Sequence, residues 1–352
     1  MTPLEAKRSG GIVRIDCVDY HTAGEPFRIV PFGTVPIPGD TVAERRAIAL
    51  AADGGPRAGA AMETARQLLC REPRGHADMY GGFLTPPDDD GAHLGVLFWH
   101  KDGFSTACGH GTIALGAWAV DSGLVAAPDD GEAVVRIDVP SGRVEARVRR
   151  SAGRTESVTF RNVPARVGGL GVLVETDDFG AVEVDIAHAG ACYAVLAAGS
   201  VGLEPTPEAL PDLIRAGRQI RAALAGHPAT REPRDPRLSG VYGVLLHDQL
   251  PDRADAALAL GSVTVFADGQ VDRSPCGSGT SALLAVLTGR GRLDSGATLH
   301  HASVIGTVFT ARVAGAVVEG LVTEVTGTAH RTGAHRFELD PADALGTGFV
   351  LR

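Results

Sequence analysis

Apolar and polar positions alternate along 11–30, GIVRIDCVDYHTAGEPFRIV, with many β-branched residues. This period of two predicts strands on either side of a polar turn at His21–Pro26. The pattern lengthens over 40–71, where helix formers dominate and few breakers follow Gly59; AAMETARQLLCR repeats its apolar residues at helical spacing. EPRGHADMYGGFLTPP reads as loop and short strand, and GAHLGVLFWH as a buried strand closed by a turn at KDG. AVVRIDVPSGRVEARVRR predicts a hairpin around Pro-Ser-Gly. The β pattern continues through ESVTFRNVPARV, VEVDIAHAGACYAVLAA and SVTVFADG. It is interrupted at 206–225, where leucine and isoleucine recur every three or four residues; here a helix is expected, with Thr206 as cap and Pro207 in its first turn. Residues 226–240, rich in Pro and Arg, read as an exposed loop, and the last third returns to strands. Strands outnumber helices and do not alternate regularly with them. The expected class is therefore α+β with mixed sheets rather than a Rossmann fold, and neither GxGxxG after a first strand nor a Walker loop is present.

Two stretches depart from both periods by being apolar on all sides. CGHGTIALGAWAVDSGLV, from Cys108, lies without gaps over CGSGTSALLAVLTGRGRL, from Cys276, and eight of eighteen positions coincide. The strand and turn before each also correspond, VLFWHKDG and VTVFADG. An internal duplication is the simplest account, each half offering strand, turn, cysteine and a buried helix. Each cysteine then sits at a helix amino terminus, where unpaired N–H groups and the positive end of the dipole favour an anion. A thiol so placed is expected to have its pKa lowered from about 8.5 toward roughly 3.5–7.5. The flanking glycines let a ligand approach the backbone, whose N–H groups suit a carboxylate. Two such helices facing each other would set thiols on opposite sides of one small anionic molecule, one taking a proton from carbon and the other returning one.

Composition narrows the chemistry. The charged fraction is 21%, the net charge is −9, and there is no basic run, which argues against nucleic acid as partner. Only Lys7 and Lys101 are lysines, one in a polar tail and one in a turn, which disfavours a pyridoxal-phosphate Schiff base. Cys17, Cys70 and Cys192 read as small buried hydrophobes. Five widely spaced cysteines without CxxC make neither a disulfide framework nor a zinc site, and His300–His301 lacks a third ligand at suitable spacing. No metal or other cofactor is expected. No apolar leader opens the chain and no stretch of about 18 apolar residues occurs, so a cytoplasmic protein with reduced thiols and no membrane partner is expected.

ACGHGTIALG and DRSPCGSGTSA resemble the two catalytic signatures of the proline racemase superfamily, which includes proline racemases, 4-hydroxyproline 2-epimerases and trans-3-hydroxy-L-proline dehydratases. DYHTAGEPFRIV and EPRGHADMYG are similar to further phrases of that superfamily, and the likeness runs from about Ile12 to the carboxy terminus. The resemblance implies a diaminopimelate-epimerase-like fold of two pseudo-symmetric halves, each a curved mixed sheet around a central helix, with the site in the cleft between them. The halves would be 1–150, completed by 335–352, and 151–334. It implies Cys108 and Cys276 as the acid/base pair, Gly109 and His110 as substrate ligands beside the first, and Gly277 and Ser278 beside the second. Asp272 would receive the ring amine, a role that suits a buried anion facing a protonated secondary amine. His21, Arg28, His76 and Asp78 lie in family phrases, and some of them are expected to shape the cleft. The implied partner is a small imino-acid substrate; a homodimer stays open.

The wording is most similar to the trans-3-hydroxy-L-proline dehydratase branch. Members of that branch commonly carry threonine where this chain has Cys276. Dehydration needs one base for the α-proton and loss of the 3-hydroxyl, whereas racemisation or epimerisation needs a second thiol. Dehydration of trans-3-hydroxy-L-proline to pyrroline-2-carboxylate is the first reading and two-base inversion the alternative. A non-catalytic amino-acid binder would not need two thiols.

Overall fold

The computed structural model describes residues 13–51 and 57–351. Lys7 lies outside them. The chain forms two compact units, one of 13–22, 26–156 and 329–351, the other of 23–25 and 157–328.

In the first unit β1 (Val13–Thr22) pairs antiparallel with β18 (Ala329–Leu339), Ile15 opposite Phe337. β2 (Glu25–Val30) lies parallel to β3 (Gly81–Thr85), which pairs antiparallel with β4 (Leu94–His100). β4 continues through the short β5 (Gly103–Phe104) and lies parallel to β6 (Gly131–Val139). β6 and β7 (Gly142–Ser151) form the hairpin expected from Pro-Ser-Gly, with Val139 opposite Gly142. The stretch 40–71 yields two helices, α1 (Val42–Leu50) and α2 (Arg57–Cys70). Thr41 caps α1 by accepting the Glu44 N–H at 3.2 Å. The polar turn of 21–26 is narrower than expected: strand runs to Thr22 and resumes at Glu25, leaving Ala23 (φ +50°) and Gly24 (φ +95°) as a two-residue turn.

The first duplicated stretch is α3 (Gly109–Asp121), buried on nearly every side. It packs against β1, β18, β6 and β7, so the strands curve around it. A separate core of α2, β1, β3 and β4, with Met62, Leu68, Phe83 and Trp99, supports the outer face.

The second unit is entered within β8 (Arg154–Arg161). Its strands run in the order β9 (Arg166–Thr176), β10 (Gly180–His188), β11 (Cys192–Ala197), β12 (Val241–Gln249), β13 (Leu258–Phe266). The far edge of β13 is shared by β14 (Gln270–Asp272) and β15 (Leu299–Ser303), and β16 (Val308–Val317), β17 (Gly320–Gly327) and β8 follow. One face packs on α4 (Leu210–Ala223) through Val182, Val244, Val263 and Val265. The other holds α5 (Gly277–Gly289), the second duplicated stretch, which touches β9, β10 and β11 as well as β16 and β17. A helix touched by strands far apart in the row is a helix the sheet wraps. Helix α4 starts later than expected: Ala209 stands at its cap with no side-chain bond and Pro211 in the first turn, so Thr206 does not cap it. Leu213, Ala216 and Ile220 face the sheet, and their burial sets the helix despite its weak cap. Among the described residues no helix is long and apolar enough to cross a membrane.

Arg28 shows how the first unit is braced. Its guanidinium donates to Asp19 at 2.8 Å, to the Leu69 carbonyl at 2.6 Å and to the Arg74 carbonyl at 3.0 Å, with Phe337 stacked 4.3 Å away. One cation thus ties β2 to β1, β18 and the end of α2. Arg28→Leu leaves the Asp19 carboxylate buried without its partner, and a loss of about 3–5 kcal/mol in urea unfolding is expected.

Candidate active site

The first cysteine motif follows β5. Cys108 takes the extended conformation usual for a cap (φ −156°, ψ 106°), and its Sγ accepts the Gly111 N–H at 3.2 Å. The Thr112 hydroxyl donates to the Cys108 carbonyl at 2.8 Å. Gly111 is required by this packing: a Cβ there would fall 2.8 Å from the Cys108 Sγ and 2.4 Å from the Phe27 ring. The His110 ring lies 3.5 Å from the same Sγ. It is edge-on to Tyr80 at 4.9 Å and to Phe27 at 5.8 Å, and burial pushes its pKa down to about 3. His110 is therefore a neutral imidazole, a hydrogen-bonding neighbour of the thiol rather than a cation beside it. The Thr22 hydroxyl fixes the backbone here by donating to the His110 carbonyl at 2.8 Å.

The second motif has the same order and a different interior. Cys276 sits at the cap of α5 with φ +67°, a region that non-glycine residues enter at a cost of about 1–3 kcal/mol. A Cβ at Gly279 would stand 3.0 Å from the Cys276 Sγ, repeating the constraint at Gly111. Asp272, at the end of β14, is fully buried and accepts at one oxygen from the Ser274 N–H (2.8 Å) and the Ser274 hydroxyl (2.7 Å). The Ser274 oxygen in turn accepts the Cys276 N–H at 3.1 Å. Tyr193 from β11 brings its hydroxyl to 3.8 Å from the Cys276 Sγ. The Ser278 hydroxyl is buried and has no hydrogen-bond partner among the described residues, which leaves it open to a ligand.

Electrostatics here correct one expectation. The helix amino terminus predicts a thiol with a lowered pKa, yet the Cys276 thiol is pushed well above its ordinary value, first by burial and next by the Asp272 charge. The Gly279 N–H pulls the other way and is outweighed. Desolvation wins because the sulfur loses all its water while gaining few donors. Burial likewise pushes the Asp272 carboxyl up to about 6, against the bonds from Ser274. Cys276 thus rests as a thiol.

The remaining expected residues divide simply. Gly109 opens α3 beside Cys108, and Gly277 opens α5 beside Cys276. Arg28 is the brace described above, the His21 ring packs near His330 at 5.4 Å, and His76 accepts the Asp78 N–H at 3.2 Å. Cys17, Cys70 and Cys192 are buried, and burial pushes each thiol up to about 12. His301 has both ring nitrogens engaged by hydroxyls, and among the described residues no group of three or more His, Cys, Asp or Glu is arranged to hold a metal. Tyr80, Tyr193 and Ser274 join the site beyond the expected residues; Tyr80, inside EPRGHADMYG, and Ser274, inside DRSPCGSGTSA, lie in phrases that carried a signal, and Tyr193 does not.

The family model for proline racemase matches residues 17–350. The chain belongs to the proline racemase family. It is 38% identical over 338 residues to a trans-3-hydroxy-L-proline dehydratase of Bacillus cereus, covering 95% of this chain and 97% of that protein. It is 39% identical over 343 residues to a 3-hydroxyproline 2-epimerase of Burkholderia multivorans, covering 96% and 98%. A crystal structure of a hydroxyproline epimerase from Agrobacterium vitis with bound trans-4-hydroxy-L-proline superposes with a TM-score of 0.86 at 30% identity, covering 96% of each chain. A predicted epimerase from Pseudomonas aeruginosa, at 16% identity and a TM-score of 0.55, shares the fold alone. The fold is thus α+β and diaminopimelate-epimerase-like, a mixed sheet curved around a central helix in each unit.

Asp272 gives a pH test. Its carboxyl holds a proton more tightly folded than unfolded, so its contribution is most favourable below about pH 4 and is lost as the pH rises through about 6. Asn at 272 keeps an acceptor for both Ser274 donors and cannot ionise. Asp272→Asn should be the more stable protein at pH 7.5, by at most about 3 kcal/mol, and the difference should shrink below about pH 6 and close only below about pH 4 in thermal unfolding.

Proposed function

We propose that the protein removes the α-proton of a proline-type imino acid with the Cys108 thiolate and dehydrates trans-3-hydroxy-L-proline to pyrroline-2-carboxylate. The observation that carries this reading is the likeness to proteins named trans-3-hydroxy-L-proline dehydratase over 95–96% of the chain. The local chemistry supports it. The Gly111 N–H at the Cys108 Sγ stabilises the thiolate that must act as base. Asp272 is a buried carboxyl held by the Ser274 N–H and hydroxyl beside Cys276, suited to a ring ammonium. The amino-terminal N–H groups at Gly109 and Gly277, His110 and the Ser278 hydroxyl are the proposed ligands for the substrate carboxylate and ring.

The step balances as follows. Cys108 takes the proton from Cα, and the C–H pair becomes the Cα–C3 double bond. The C3–O bond breaks, and the departing hydroxide takes the proton of the Cys276 thiol to leave as water. Cys108 is then a thiol and Cys276 a thiolate, and exchange with solvent restores both. Cys276 suits the acid role because it rests protonated. The enamine product tautomerises to the cyclic imine.

Two-base inversion is kept as a second reading because Cys276 is present where threonine would serve dehydration, and because one relative is named a 3-hydroxyproline 2-epimerase. There the Cys276 proton goes to the opposite face of Cα. Incubation with trans-3-hydroxy-L-proline, trans-4-hydroxy-L-proline and L-proline in turn separates the two. The expected result is a cyclic imine from the first substrate only, near-total loss in Cys108→Ser, and surviving dehydration in Cys276→Thr. Interconversion of proline or 4-hydroxyproline epimers without imine, lost by about 10²–10⁴-fold in Cys276→Thr, would overturn the dehydratase reading.

A further inference from the structure

The two halves hold their cysteines differently. In both, a threonine one turn into the helix donates to the cysteine carbonyl, Thr112 at 2.8 Å and Thr280 at 2.7 Å. Only in the second half does the cysteine adopt a positive φ, and only there does a histidine stand behind the threonine. His301, on β15, is completely buried. Its Nδ1 lies 2.8 Å from the Thr280 hydroxyl oxygen and its Nε2 lies 2.7 Å from the Ser262 hydroxyl of β13.

The protons in this chain have one consistent order. Thr280 has a single hydroxyl proton, and the Cys276 carbonyl can only accept, so that proton points to the carbonyl. The Thr280 oxygen then accepts from Nδ1–H of His301. Nε2 is left as an acceptor and takes the Ser262 proton. Burial pushes the His301 pKa down to about 3, so the ring stays neutral and the order does not change across the working pH range. The result is a strut from the sheet to the peptide carbonyl of Cys276. A residue held at positive φ persists only where its surroundings over-determine it.

We propose that His301 is a positioning residue for Cys276, acting through Thr280 to hold the strained cap, in which the sulfur makes no side-chain cap hydrogen bond to the helix. Released from the strut, Cys276 can relax to the extended conformation that Cys108 already has, in which the sulfur accepts the N–H three residues on, as Cys108 does from Gly111 at 3.2 Å. The inference leans on the proposed function only for its bearing on turnover; the position of the thiol is tested without substrate.

The test is alkylation of the native protein by iodoacetamide, with the Cys108 and Cys276 rates read separately by peptide mass spectrometry. His301→Leu and Thr280→Val should each speed Cys276 by about five- to ten-fold, the size of one hydrogen bond gained at the sulfur, and leave Cys108 unchanged. His301→Asn, whose amide N–H replaces Nδ1–H, should stay within about two-fold of wild type, since a single replaced bond restores the strut. The double variant His301→Leu/Thr280→Val should be no faster than either single, since both break one path. Unchanged or slower Cys276 rates, equal changes at both cysteines, or His301→Asn as fast as His301→Leu would each overturn the proposal. Should His301→Leu not fold, Thr280→Val and His301→Asn carry the same comparison.

Discussion

A sulfur lying over the first turn of a buried helix leaves no room for a side chain three residues on. At Gly111 an added Cβ would come within 2.8 Å of Cys108, and at Gly279 within 3.0 Å of Cys276. This contact explains the Cys-Gly-x-Gly phrase better than flexibility does, since neither glycine has a positive φ. The rest of each unit follows from it. The helix start must be held where the thiol touches it, so the helix is the one the sheet wraps, and its residues are apolar all round. Strands β1, β18, β6 and β7 do this for α3, and β9, β10, β11, β16 and β17 do it for α5.

On that shared frame the two thiols have been made unlike. Cys108 has an unstrained cap, a backbone N–H on its sulfur and a neutral imidazole beside it. Cys276 has a strained cap, a carboxylate that opposes its ionisation and a histidine strut behind its carbonyl. A duplicated motif gives two equal nucleophiles only if the surroundings are duplicated too. Here Thr280 meets the His301 ring of β15 at 2.8 Å.

Much of the frame was legible because it is local. Alternation marked the strands, the two all-apolar stretches marked the wrapped helices, and the repeated cysteine phrase pointed to the candidate site. What escaped depends on contacts distant in sequence. Thr206 looked like a cap, but the burial of Leu213, Ala216 and Ile220 against the sheet set the start of α4 at Leu210. The dipole argument gave the sign of the Cys276 pKa wrongly because burial and Asp272 are tertiary facts, and desolvation outweighs one N–H. His301 carried a metal question in the sequence; its actual partners, Thr280 and Ser262, lie on other elements.

The coupling of Asp272 to Cys276 has a consequence for the proposed reaction. While Asp272 is ionised it raises the energy of a Cys276 thiolate, so the pair carries at most one negative charge comfortably. A ring ammonium at Asp272 neutralises that charge. In the proposed reaction, the thiolate left on Cys276 after it gives up its proton then forms beside a neutral pair rather than beside a charged carboxylate. On the proposed reading the substrate's own cation lowers the cost of the acid step, and an imino acid lacking that charge would bind beside an acid that cannot easily let its proton go. On that reading, recognition of the amine and proton donation by the thiol form one electrostatic event, and the two groups lie buried together at the end of β14 and the start of α5.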